Sequence, residues 1–141
     1  MGTDAGFANA VLKLLFQGTA IANMADNAAT SPLTHLYCAL HTADPSGGDQ
    51  TTHEAGYTSY ARVALSRDSS AFTISGRTMT TVADVIFPTA TGGSEIEKYF
   101  SIGSASTGAG ILYFVSQLSP TISVSSTIAP TVKKTSTLIM N

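Results

Sequence analysis

Five side chains of the types that bind metal ions lie within fourteen residues of one another. They supply imidazole and carboxylate groups and are His41, Asp44, Asp49, His53 and Glu54. Metal sites of the cupin type place two histidines one residue apart on a strand, with a glutamate shortly after. The sequence contains no His-x-His, and His35 and His41 are six residues apart. The spacing therefore predicts solvated loop side chains, with no metal and no cofactor.

Nucleophiles and paired acids are also poorly placed for catalysis. The chain has no Gly-x-Ser-x-Gly, and Cys38 falls on the expected core side of a strand. The glycine-rich stretches lack both the lysine of a phosphate-binding loop and the strand-to-helix context of a dinucleotide-binding turn. Glu95 and Glu97 share one strand face, but acids that flank a turn are normally solvated. We predict no catalytic residue and no enzyme activity.

Composition excludes several classes of protein. Hydrophobic residues make up 43% of the chain and charged residues 11%, less than half the roughly 25% of a usual soluble domain, so the chain is not disordered. Seven basic residues against nine acidic ones do not supply the positive field that nucleic acid requires. The apolar stretch over residues 10–16 is interrupted by Lys13 and is far shorter than the roughly 20 residues of a membrane span. One cysteine cannot form an internal disulfide, which indicates synthesis in a reducing cytoplasm.

An N-terminal helix is the first element along the chain. Its apolar residues recur at helical spacing over residues 7–22, and Thr3 or Asp4 is placed to cap its start. Leu12 and Phe16 widen the apolar stripe beyond what a helix on one small sheet usually buries. We therefore expect part of this stripe to contact another chain. Residues 23–32 show no periodicity and are predicted to form a loop.

From residue 33 onward the hydrophobic pattern has the period of two that marks strands. In the segment 35–41, Leu36, Cys38 and Leu40 share one side, which we expect to face the core. The segment 111–115 is apolar at every position, so we expect a central strand that is covered on both faces.

About eight such strands follow one another at the turn spacings of sandwiches and barrels. The pattern predicts an all-β fold, an antiparallel β-sandwich of about eight strands with one N-terminal α-helix. We expect a single domain, with the helix and a loop in residues 1–30 and the sandwich in residues 33–141. The residues expected in its core are Leu36, Cys38, Leu40, Val63, Leu65, Phe72, Ile102, Leu112 and Phe114.

Several side chains are expected on surfaces that a partner contacts. Tyr37 lies on the outer face of its strand between two histidines, where it either meets a partner or is covered by the helix. The loop over residues 43–57 is longer than ordinary hairpin connections, and such loops are usually functional or mobile. With the wide helix stripe, these features predict interface residues at Leu12, Phe16, His35, Tyr37, His41, Asp44, His53 and Tyr57.

Several segments of the chain resemble a family of small tailed-bacteriophage virion proteins. They are residues 40–45 (LHTADP), 50–63 (QTTHEAGYTSYARV), 87–88 (FP), 91–94 (TGGS) and 100–103 (FSIG), with an opening helix that ends in AIAN. Gly56 and the plain Lys133-Lys134 segment depart from the family pattern. The resemblance covers nearly the whole chain and implies a capsid cementing (decoration) protein with a jelly-roll fold.

The resemblance implies a non-enzymatic virion protein, made in the bacterial cytoplasm, that binds the outside of the capsid shell. Its expected partners are the major capsid protein and a second copy of itself, most simply in a two-fold homodimer. The alternative is a tail-fibre or tail-tip component involved in receptor binding, although the sequence lacks the repeats and trimerising shaft usual in tail fibres. A third alternative, a small jelly-roll enzyme, requires a convergent polar site.

Overall fold

A computed structural model of the chain describes residues 4–21 and 32–140. These residues form one helix and nine strands: α1 (Ala5–Gln17), β1 (His35–His41), β2 (Val63–Ser66), β3 (Phe72–Ser75), β4 (Thr78–Thr81), β5 (Val85–Ile86), β6 (Glu95–Gly103), β7 (Leu112–Val124), β8 (Thr131–Val132) and β9 (Thr137–Ile139). The strands pair in antiparallel sheets, which confirms the predicted all-β, sandwich-like fold with one helix. The chain divides into two compact units. The first takes residues 4–21, 32–35, 66–84 and 132–140; the second takes residues 36–65 and 85–131.

Helix α1 has a defined cap at each end. The Asp4 carboxylate accepts hydrogen bonds from Gly6 N at 2.8 Å and Phe7 N at 3.2 Å, which satisfies two of the amides that a helix leaves free at its start. Gly18 adopts the left-handed conformation, with φ of 65°, and ends the helix at Gln17. The predicted end at residue 22 is wrong for this reason. Thr3 and most of the predicted loop 23–32 lie outside the described residues.

The first unit packs α1 against a three-stranded antiparallel sheet in the order β3-β4-β9. The rings of Phe16 and Phe72 lie 4.8 Å apart, and both side chains are fully buried. Leu12 is fully buried as well. The expectation that Leu12 and Phe16 are exposed for contact with another chain is therefore wrong, because both side chains pack in the core of this unit.

Polar side chains fasten the end of α1 within this unit. Arg67 donates from Nε to Leu15 O at 2.6 Å and from Nη2 to Leu14 O, two carbonyls that the helix itself leaves without a partner. A cation at this end of a helix also interacts favourably with the helix dipole. Gln17 Nε2 donates to Phe72 O at 3.0 Å, which ties the last helical turn to β3.

The second unit is built on a four-stranded sheet in the order β2-β1-β6-β7. In the pairing of β1 with β6, Cys38 lies opposite Ile102, and both are buried. Burial raises the pKa of the Cys38 thiol, as expected for a side chain in the core. In the same unit β5 pairs with the start of β8, where Phe87 N donates to Pro130 O at 2.9 Å.

The outer strands of this sheet are β2 and β7. We expected the apolar segment 111–115 to be central, and this is wrong: β1 and β6 occupy the centre and β7 is an edge. The predicted core residues divide accordingly. Those on β1, β3 and β6 are buried, whereas those on the two edge strands are half-buried, namely Val63, Leu65, Leu112 and Phe114.

Candidate functional site

The long segment that follows β1 folds back on that strand and is held there through His41. An isolated antiparallel bridge pairs His41 with Glu54. The buried imidazole lies between Thr52 O, 2.9 Å from Nδ1, and Ser101 Oγ, 2.7 Å from Nε2. Because a carbonyl oxygen can only accept, Nδ1 donates to Thr52, and the neutral ring accepts from the Ser101 hydroxyl. Burial lowers the pKa of His41, in agreement with a neutral ring that positions the loop.

Glu54 and Arg62 form a partly buried ion pair, which we call the Glu54–Arg62 anchor. Arg62 donates from Nε to Glu54 Oε1 at 2.6 Å and from Nη2 to Oε2 at 2.8 Å, a bidentate pairing. The same guanidinium donates to Ala105 O and Gly108 O, each at 2.8 Å. The Arg62 side chain is 2% exposed and that of Glu54 18%. The anchor therefore joins the segment after β1 to the connection between β6 and β7.

Gln50 makes a second link between these two loops. Its backbone N donates to Ala109 O at 2.8 Å, and its Oε1 accepts from Ala105 N at 2.8 Å. The fully buried side chain occupies the space that side chains at Gly103 and Gly110 would need. A Cβ atom would lie 2.2 Å from Gln50 Cδ at Gly103 and 2.1 Å from Oε1 at Gly110. Glycine is required at these two positions because the Gln50 side chain lies against the backbone there, and no phosphate or cofactor is needed to explain it.

Glu95 holds the far end of the same segment. Its Oε1 accepts hydrogen bonds from Gly56 N and Tyr57 N, both at 2.8 Å. The buried Tyr57 donates from its hydroxyl to Pro88 O at 2.9 Å, and its ring meets that of Tyr60 edge-on at 5.3 Å. Burial raises the pKa of Tyr57 to about 12, so this hydroxyl remains a donor at neutral pH.

Glu97 is the least expected side chain of this region. We predicted a solvated acid, but Glu97 has no exposed surface, and neither carboxyl oxygen has a well-aligned hydrogen-bond partner. Burial, together with a hydrogen bond to the neighbouring Glu95 and the negative charge of Glu95, raises the pKa of Glu97 to about 8. Glu97 is therefore largely a neutral acid at pH 7. The prediction of solvation is wrong because the residue alternates onto the covered face of β6.

The side chains considered as metal ligands do not converge. Asp44 accepts from Ser46 N at 2.9 Å, and Asp49 accepts from Thr51 N at 2.8 Å, so both carboxylates close local turns. His53 is exposed. Within residues 4–21 and 32–140, no three His, Cys, Asp or Glu side chains are grouped so as to hold a metal ion.

The eight predicted interface residues divide by exposure. Four are buried inside the chain, and the expectation that they lie on its surface is wrong: Leu12, Phe16, His41 and Tyr57. The first two pack in the core of the first unit, and the other two are held by hydrogen bonds in the second. The others are exposed or half-buried, and their contact with a partner stays a prediction: His35, Tyr37, Asp44 and His53.

The ion pair that fixes the loops was not predicted from the sequence. Glu54 and Arg62 lie on either side of an uncharged stretch, so each charge had to be buried with the other or left in water. Tyr60, two residues before Arg62, takes part in the same contact, because its hydroxyl donates to Glu54 Oε1 at 3.0 Å. Gln50 gave no signal, because its role depends on two glycines more than fifty residues away.

The geometry shows acids, bases and amides used to order loops, and comparison with known proteins agrees with a structural role. No helix among the described residues is long and apolar enough to cross a membrane. No curated protein matches the chain. A family model described as podophage GP4 fiber I protein gp80 matches residues 4–137. Since the match extends over nearly the whole sequence, the chain belongs to this family of structural bacteriophage proteins.

Proposed function

We propose that the chain is a non-enzymatic component of a podophage fibre, in which the second unit presents a rigid loop surface to a partner. The observation that carries the proposal is the family match over residues 4–137, whose description is that of a fibre protein. The site geometry supports it, because the Glu54–Arg62 anchor and Glu95 use their charges to hold loops in place.

Low charge supports a role in assembly as well. Charged residues make up 11% of the chain, so a partner covers this surface with little desolvation of ionic groups. The same property suits a capsid cementing protein that binds the major capsid protein on the outside of the shell. The two functions differ in location and in what is lost when the protein is missing.

Cryo-electron microscopy of virions tests the proposal directly. A fibre component gives density on projecting appendages, identified by an antibody fragment against the loop around Ser46, which is exposed. Density repeated over the capsid lattice would instead support cementing and would contradict the fibre proposal.

Virions that lack the protein provide the functional test. A fibre component is expected to be needed for adsorption to the host, with genome retention on heating unchanged. Loss of heat stability with normal adsorption would contradict the proposal and favour cementing. Complementation with the wild-type chain is the control for both measurements.

A further inference from the structure

Two carboxyl groups with different surroundings lie side by side at the start of β6. Glu95 is half-buried, and one of its oxygens accepts the hydrogen bonds from Gly56 N and Tyr57 N. Glu97 follows two residues later on the same face of the strand and is fully buried without a well-aligned donor at either carboxyl oxygen. The group that holds the end of the loop is therefore next to an acid that has no access to water.

The groups that face Glu97 offer it no positive charge. Among the residues that the structure describes, the titratable groups that interact with it are Glu95 on its own strand and Tyr57 from the loop, and both are acids. The neighbouring strand β7 places Ile122 opposite Glu97 and contains no Asp, Glu, Lys or Arg. An ionised Glu97 would be a buried charge without a counter-charge, beside a second negative charge. The folded arrangement therefore requires a proton on Glu97.

We propose that the proton on Glu97 controls the attachment of Gly56 and Tyr57 to β6. While Glu97 is neutral, the Glu95 carboxylate meets no like charge there and holds both amides. When Glu97 loses its proton, two carboxylates face each other and repel. Glu95 is the one that moves, because it is half-buried whereas Glu97 is enclosed. Glu95 then turns towards water and leaves the two amides without their acceptor.

The released stretch is short, because its neighbours on both sides are held by other groups. Ala55 N donates to Leu40 O and Thr58 N donates to Gly92 O, each at 2.9 Å. Both bonds join backbone atoms, so neither depends on the ionisation of a carboxyl group. Loss of the proton therefore frees residues 56–57 at the end of the loop and leaves the four-stranded sheet in place.

Hydrogen exchange followed by nuclear magnetic resonance tests the release at the two amides themselves. Because the pKa of Glu97 in the folded chain is about 8, the released population should grow about tenfold per pH unit up to that value and then level off. From about pH 6 to about pH 9, the protection of Gly56 N and Tyr57 N, corrected for the intrinsic pH dependence of exchange, should fall about a hundredfold. Ala55 N and Thr58 N should remain protected at about pH 9. A fall of less than about tenfold at residues 56 and 57, or equal protection of all four amides at about pH 9, would overturn the proposal.

Two substitutions separate the Glu97 proton from other effects of pH. Glu97→Gln cannot ionise, and Glu95→Gln keeps an oxygen acceptor but removes one of the two charges, so both variants should keep residues 56–57 protected at about pH 9. Asp68→Asn, which removes an exposed carboxylate in the first unit, is the matched control and should behave as the wild type. His41 contacts the same loop and is present in every variant, so its titration does not distinguish them. Loss of protection at residues 56–57 in either glutamine variant, folded by circular dichroism, would refute the role of the proton.

Discussion

Removing the buried acid at position 97 should change how stability depends on pH. The side chain is fully buried without a well-aligned partner, and its pKa rises from 4.5 to about 8 in the folded chain. In the unfolded chain it ionises near 4.5. Between these two values the folded state holds a proton that the unfolded state has released, so the free energy of unfolding falls as pH rises. Glu97→Gln keeps the shape of the side chain and removes this titration.

The size of the effect follows from the pKa interval. Each pH unit within this interval lowers the free energy of unfolding of the wild type by about 1.4 kcal/mol. The upper limit for the full range from 4.5 to about 8 is therefore about 5 kcal/mol. Above about pH 8 both states are ionised and the loss is complete. From about pH 5.5 to about pH 8.5, we expect the stability of the variant relative to the wild type to rise by about 3 kcal/mol.

Urea denaturation of both proteins across this pH range measures the difference. The lowered pKa of His41 acts in the opposite direction, because its protonation destabilises the fold as pH falls below its ordinary 6.5. Both proteins contain His41, so its contribution cancels in the comparison. Asp68→Asn is the matched control, since this exposed carboxylate has a lowered pKa and does not titrate in the range. Parallel stability curves for the wild type and Glu97→Gln would refute the reasoning.

Three further substitutions test the packing and the anchor by denaturant unfolding. Arg62→Met should lower the free energy of unfolding by about 3 kcal/mol, the low end for a broken buried ion pair, because the partner carboxylate is 18% exposed. A loss below about 1 kcal/mol would show that the anchor is not required. Gly103→Ala should cost about 1 to 3 kcal/mol, because the added Cβ would lie 2.2 Å from Gln50 Cδ; an unchanged midpoint would contradict this close approach. Phe16→Ala should cost about 3 to 5 kcal/mol, whereas Phe7→Ala on the same helix, at a side chain 47% exposed, should cost far less; equal losses would contradict the burial described for the helix.

Hydrophobic period was sufficient to predict the class of fold and much of the core. Alternation in β1 placed Leu36, Cys38 and Leu40 correctly, because a strand of period two has one inner face. The same rule was wrong for His41, which is buried on the other face. That face is covered by a loop whose position depends on the ion pair between Glu54 and Arg62, and periodicity holds no information about such a contact.

The local hydrophobic pattern of the sequence could not predict the order of the strands or the burial of polar side chains. An apolar run is the same in sequence whether its outer edge is covered within the chain or by another molecule, so β7 was expected at the centre. Glu97 was expected in water because it flanks a turn, but a protonated acid can be buried without the cost of burying a charge. Both differences arise where the surroundings, rather than the residue type, decide the outcome.

The contacts of Arg62 with Ala105 O and Gly108 O have a consequence for how this surface evolves. They hold the connection between β6 and β7 through backbone carbonyls rather than through side chains. The side chain of Thr107, at the tip of this connection, is exposed and takes no part in this support. Mutations there alter what the molecule presents at almost no thermodynamic cost, so a lineage under selection from a changing partner can diversify the tips while the supporting frame is inherited intact.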